Sequence, residues 1–160
     1  MIQAITETDI KIYVQTEDNR IDTSVASTQI RHLVKFTNDL DKSVYYAYGN
    51  TEIIKDRYTN INISYGTKPN IYTGVVKLFP AGYYKYEIYE VSWIGTVTVS
   101  SGNAPTTEDD VLSPAANDKG VVQGLVTKGK MYLAEKSGSE EVQYTEYDAP
   151  TSDNTIYYGQ

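Results

Sequence analysis

Residues Pro80 to Val91 read Pro-Ala-Gly-Tyr-Tyr-Lys-Tyr-Glu-Ile-Tyr-Glu-Val. After a turn built from Pro80, Ala81 and Gly82, Tyr84, Tyr86 and Ile88 fall on one side of an extended chain, with Lys85, Glu87 and Tyr89 on the other. A period of two lets a strand bury one face, whereas a helix would need apolar residues every three to four positions. The same alternation runs upstream. Ile10, Ile12 and Val14 alternate with Lys11, Tyr13 and Gln15, and His32, Val34 and Phe36 share a face within Ile30 to Thr37. Val44 to Tyr48 is closed by Gly49-Asn50, and Thr59, Ile61, Ile63 and Tyr65 alternate with Asn60, Asn62 and Ser64. Ile71 to Phe79 predicts a hairpin with Tyr83 to Val91, and Trp93, Val97 and Val99 predict a closing strand. The single helical candidate, Thr51 to Asp56, is too short to count.

About seven strands with turn signals at sandwich spacing predict an all-β chain, with an Ig-like antiparallel β-sandwich over residues 1–100. From Ser100 to Gly120 the composition shifts to Pro105, Pro114, small polar residues and the run Glu108-Asp109-Asp110. Residues 101–120 therefore read as a linker or long surface loop. Beyond it, Val121 to Glu135, Glu141 to Tyr147 and Ile156 to Gln160 are too few and too short to enclose a core. Residues 121–160 are expected to form an extended C-terminal β arm or small β subdomain, packed on the sandwich or added to a neighbour's sheet edge. Tyr132, Tyr144, Tyr147, Tyr157 and Tyr158 are its candidate partner-binding residues.

The chain has 160 residues, the size of one domain, and carries 16 Tyr against 2 Phe, 1 Trp and 2 Met. Tyrosine joins a large apolar ring to a hydroxyl, which suits half-buried sheet faces and protein interfaces. A net charge of -7 argues against a nucleic-acid partner, since phosphate neutralisation needs clustered cations. With no Cys, disulfides, thiolate catalysis and Cys-based metal sites are excluded. The N-terminus lacks the basic start and apolar stretch of a signal peptide, and no segment reaches the ~20 apolar residues of a membrane span. The expectation is a product made in the host cytoplasm, with no membrane partner.

Motifs for chemistry are thin. The single His32 sits on an inward face without a Cys, a second His or a nearby Ser, which reads as a structural histidine. Gly124 to Met131 approximates a phosphate-binding loop, but Met131 stands where a Ser or Thr would hold magnesium. Carboxylates at Asp18 and Asp22, at Glu108 to Asp110 and at Glu140-Glu141 lack any calcium-binding register. Asn62-Ile63-Ser64 is a glycosylation sequon without an export route. No catalytic, cofactor or metal residue is assigned, and the chain is expected not to be an enzyme. Tyr45, Tyr46, Tyr48, Tyr83, Tyr84 and Tyr86 form a possible stacking platform for sugars, against core packing of about half of them.

Val34-Lys35-Phe36-Thr37-Asn38-Asp39-Leu40, Arg57-Tyr58-Thr59, Pro80 to Glu90, and the tail from Gly120-Val121-Val122-Gln123-Gly124 through Tyr157-Tyr158-Gly159-Gln160 resemble small virion structural proteins of tailed bacteriophages. The likeness covers most of the chain. It implies an Ig-like domain on a capsid, a head-tail joint or a tail, located in the virion. The role implied is a capsid decoration or cement subunit that stabilises the head through sheet-edge and tyrosine contacts. Its partners would be the major capsid protein or other virion subunits, in a homo-oligomer or symmetric array. A head-tail joint or tail component, or a carbohydrate-binding β-sandwich module, is the alternative.

Overall fold

The computed structural model describes residues 1–112 and 118–137. These form strands β1 (Ile2–Ile5), β2 (Ile10–Val14), β3 (Ile30–Asn38), β4 (Val44–Tyr48), β5 (Thr51–Ile54), β6 (Thr59–Tyr65), β7 (Val75–Val76), β8 (Gly82–Ser92) and β9 (Val121–Ala134). Two sheets pack face to face as an all-β sandwich: β1-β9-β8-β3-β4, and β2-β6-β5 with β7 beside β6. In immunoglobulin lettering, β2, β6 and β5 correspond to B, E and D, and β4, β3, β8 and β9 to C′, C, F and G. The pairing is not wholly antiparallel, because β1 runs parallel to β9 and β7 parallel to β6.

The sequence opening on Pro80 builds the central strand. β8 pairs antiparallel with β3 on one side and with β9 on the other. Its inward side chains Tyr84, Tyr86 and Ile88 meet Val34 and Phe36 of β3, Met131 and Leu133 of β9, and Ile10, Ile12, Ile61 and Ile63 of the second sheet. Each such side chain contributes about 1.5–3 kcal/mol through burial. The alternation that marked these residues in the sequence is thus the inward face of both sheets. Gly129 lies opposite Tyr86, and a Cβ there would come within 2.6 Å of the tyrosine oxygen, so glycine makes room for the ring to lie across β9. Gly124 has φ of 149° beside a register shift, a backbone state that side-chain-bearing residues rarely adopt.

A second, smaller core lies on the outer face of the five-stranded sheet. Leu33, Tyr48, Val91 and Trp93 are roofed by the β8–β9 connection, which contributes Ala104 and the half-buried Val97 and Val99. The roof is tied down by polar contacts. The Tyr48 hydroxyl donates to the Pro105 carbonyl at 2.7 Å, and the Tyr46 hydroxyl donates to Glu108 Oε2 at 2.6 Å. Lys35 makes an ion pair with the same carboxylate. Burial alone would raise the Glu108 carboxyl, but the Lys35 ammonium and the Tyr46 hydroxyl hold it below its ordinary 4.5. Withdrawn from water and bonded to that carboxylate, the Tyr46 hydroxyl is pushed up to about 12.

Several expectations change. Residues 121–134 are not part of an arm but an interior strand, because β9 pairs on both edges and buries Met131 and Leu133. The division at residue 100 therefore cuts through one folded unit. The described part of 101–120 is a roof and not a linker, since Ala104 and the Glu108 carboxylate find partners on the sheet. Residues Ile71 to Phe79 do not form a hairpin with β8, whose two edges are already taken by β3 and β9, and the Pro80-Ala81-Gly82 turn instead carries the chain between sheets. Val97 and Val99 pack on the second core without strand pairing. Thr51 to Ile54 is strand β5, and Ile2 to Ile5 is a strand that the sequence did not mark.

His32 and Glu52 tie the sheets together across the core. His32 on β3 is 2% exposed, and its Nδ1 meets Glu52 Oε1 on β5. The adjacent Glu90 carboxylate, buried on β8, accepts from the backbone N–H of Ile21 at 3.0 Å and Asp22 at 2.7 Å, which fixes the β2–β3 connection. Both buried acids are thus satisfied, as a low-dielectric interior demands.

Three outcomes are expected. A chain ending at Ser100 does not fold, and Met131→Ala in the full chain costs about 2–5 kcal/mol in urea denaturation. Glu52→Ala costs about 3–5 kcal/mol by leaving His32 buried without its acid, and the double variant His32→Leu/Glu52→Leu recovers part of that loss. The third is a pH dependence. Because folding depresses the Glu108 carboxyl, its contribution is fully present above its ordinary value and is lost as pH falls through the folded one. The stability gap between the native chain and Glu108→Gln is therefore widest near neutral pH and closes as the medium is acidified below the usual carboxylate range.

Candidate interaction surface

Six of the large apolar side chains left in water lie at one end of the sandwich, while others, among them Ile94 and Val111, lie elsewhere. Leu40 is 82% exposed, Phe79 71%, Tyr83 56% and Tyr132 39%, and Ile5 and Val44 are also exposed there. Each is held by local chemistry. The Asn38 side-chain oxygen at the end of β3 accepts from the backbone N–H of Leu40 at 2.7 Å, an Asx turn that lifts Leu40 outward. The Asp39 N–H donates to the Tyr83 carbonyl at 2.9 Å, which joins that turn to the start of β8. The Tyr45 hydroxyl donates to the Phe79 carbonyl at 2.6 Å, and the Tyr84 hydroxyl donates to the Pro80 carbonyl at 2.6 Å. These two bonds fix the loop that presents Phe79.

Tyr83 and Tyr132 are opposite residues on β8 and β9, with ring centroids 5.0 Å apart and planes inclined by 48°. Beside them Lys130 pairs with Asp39. The Lys130 ammonium holds the Asp39 carboxyl below its ordinary value. A cleft of about 220 Å³ opens at the same end, lined by Thr6, Tyr65, Lys77, Leu78, Phe79 and Glu135 among others. The Lys136 N–H donates to Thr6 Oγ1 at 2.9 Å, so the last described residues leave from the rim of this cleft.

The arrangement can bury apolar surface on a partner. An aromatic ring buries some 150–250 Å² when covered, and a patch of aromatic and aliphatic residues ringed by charges of both signs has the anatomy of a protein interface. Of the candidate partner-binding tyrosines Tyr132 lies on this patch, beside Tyr83 from the stacking-platform set. Tyr144, Tyr147, Tyr157 and Tyr158 lie outside the described residues. Leu40 and Phe79 were missed by alternation. Their signal was of another kind: Leu40 sits in Asn-Asp-Leu-Asp and Phe79 directly before Pro80, apolar residues in turns that have no core to face.

Other candidates separate. Of the six tyrosines read as a sugar platform, Tyr48, Tyr84 and Tyr86 are buried in the two cores, and Tyr45 and Tyr46 are half-buried and bonded to Phe79 and Glu108. A second exposed pair, Tyr13 and Tyr58, flanks Asn60 on the outer face of the other sheet, but the rings are inclined by 54° and offer no shared plane. Gly124 to Met131 lie in β9, where the backbone is engaged in ladder pairing and does not form a phosphate-cradling loop. Among the described residues, no group of three His, Asp or Glu is placed to hold a metal ion.

Compared with known protein families, with curated proteins and with solved structures, the chain matches none of them.

Proposed function

We propose that this chain is a non-enzymatic virion structural protein of a tailed bacteriophage, acting as a capsid decoration or cement subunit. The observation that carries this reading is the end patch of Leu40, Phe79, Tyr83 and Tyr132, four exposed apolar side chains on rigid turns and strands at the end from which the C-terminal residues depart. A subunit that repeats over a symmetric shell gains strength by multiplying modest contacts, so a small apolar patch and a tyrosine-rich tail suffice. Its partner on this reading is the major capsid protein. A neck or tail position would use the same patch against a different subunit.

The sugar-binding alternative draws less support, because neither exposed tyrosine pair is coplanar. The roofed outer face of the five-stranded sheet also removes Tyr48 from any ligand.

The test is particle binding. The purified chain should co-sediment with phage heads that lack it, saturating at a fixed number of copies per head, and cryo-electron microscopy should find it on the shell. Leu40→Asp combined with Tyr83→Ala should weaken binding by about 100-fold or more, as loss of central apolar anchors does, while leaving the melting temperature within a few degrees. Failure to sediment at saturating concentration sinks the reading. Density only at the neck or tail would move the chain to that station.

A further inference from the structure

We infer that this chain pairs with a second copy of itself through the free edge of β1, the two strands running antiparallel about a two-fold axis at Gln3. Thr6 N–H donates to the Ala134 carbonyl at 2.8 Å, which fixes the parity of the β1–β9 ladder. Ile2 and Ala4 direct their backbone groups toward β9, and Gln3 and Ile5 direct theirs to the open side. The Ile5 carbonyl is taken by the Thr8 hydroxyl at 2.8 Å. Among the described residues, the N–H and carbonyl of Gln3 and the N–H of Ile5 have no partner, and both residues are exposed.

These free groups specify their own partner. In an antiparallel pair, opposite residues at every second position exchange both N–H···O=C bonds. With Gln3 opposite Gln3 of the second copy, each Gln3 gives one bond and receives one, and each Ile5 N–H faces the Met1 carbonyl of the other strand. Nothing is asked of the occupied Ile5 carbonyl. The side chains fit the same register. Ala4 and the half-buried Ile2 pack into the chain's own core, which leaves Met1, Gln3 and Ile5 on the outer face. Met1, 75% exposed, then lies against Ile5, 48% exposed, on each side of a central Gln3 pair, so that two apolar cross-strand pairs flank one amide pair. Tyr132, opposite Gln3 on β9, borders this strip.

Charge also selects a like copy at this edge. Side chains near a two-fold axis meet their own kind, so a charged one would repel itself. Residues Met1 to Thr6 carry no ionisable side chain, and the next residue, Glu7, is paired with Lys136 at 3.4 Å. In a chain of net charge -7, such a neutral stretch is where two copies can approach. The edges formed by β4, β5 and β2 are instead protected against pairing. The outer side of β4 is bridged where the Tyr48 N–H donates to the Ile71 carbonyl at 2.9 Å. β5 turns the charged Glu52 inward against His32, and β2 carries Lys11 at its middle. By contrast β1, Ile-Gln-Ala-Ile, has no charge, proline or bulge. So short a ladder lies at the small end of specific interfaces, which makes the dimer reversible, with a dissociation constant on the order of 100 μM. The inference does not depend on the virion reading.

Sedimentation and backbone amide exchange of the full chain test it together. Between about 20 μM and 1 mM the sedimenting species should pass from mostly monomer to mostly dimer, and the Gln3 and Ile5 amides should exchange about threefold slower or more over the same range. Because the chain has no Cys, Gln3→Cys gives a single thiol at the axis. Opposite residues of a hydrogen-bonded antiparallel pair lie about 5.5 Å apart between Cα atoms, within disulfide reach, so this variant should oxidise to a covalent dimer whose Ile5 amide is protected at every concentration. Lys11→Cys, on β2, should not. Gln3→Pro removes a donor that faces away from β9 and should stay folded and monomeric at 1 mM. Ile5→Lys, which puts a charge at the same edge without touching the backbone, should weaken the dimer about tenfold or more. A full chain that remains monomeric at 1 mM overturns the inference. So does Gln3 protection that is already complete in the monomer, which would mean that the chain covers its own edge, or a dimer that persists unchanged in both Gln3→Pro and Ile5→Lys, which would place the contact on another surface. Binding to phage heads is a separate readout, so either result can fail alone.

Discussion

Everything in this molecule hangs on β8 being hydrogen-bonded along both edges while its two faces enter different cores. Tyr84, Tyr86 and Ile88 point into the space between the sheets, and Val91 with the half-buried Tyr89 points under the roof. A central strand with apolar side chains on both faces cannot slip by one residue without exchanging the two sets. That constraint locks the register of β3 and β9, and through them the positions of β4 and β1.

The roof explains why one sheet face is only partly available to partners. An open C′-C-F-G face would expose Leu33, Tyr48, Val91 and Trp93, and here the connection before β9 covers them through Ala104 and through the contacts of Lys35 and Tyr46 with Glu108. Part of the apolar surface that remains in water lies at the far end of the same sheet, where Tyr83 and Tyr132 lie beside the turns that carry Leu40 and Phe79. The end of β1 and Lys136 share that end.

Alternation was legible wherever a strand has one face in a core and the other in water. β2, β3, β6 and β8 were found this way, and their inward residues are the core. β1 was invisible because its four residues lie at an edge and give too few repeats for a period to register. β9 was visible as a strand but assigned to an arm, because sequence separation hides which strand a late segment will pair with. Its partners lie some forty residues back in β8 and at the very start of the chain in β1.

The sequence by itself determined that the chain is all-β, that tyrosine supplies much of its apolar surface, and that His32, Val34 and Phe36 share a buried face. These are local properties, set by the two-residue period and by side-chain chemistry. Only the tertiary structure decided that residues 121–134 close the sheet, that the acidic loop is a roof, and that Leu40, Phe79 and Tyr83 join Tyr132 in one exposed patch. Those outcomes depend on which distant strands share hydrogen bonds and on which face is already covered, and neither is written in the order of residues along a single strand.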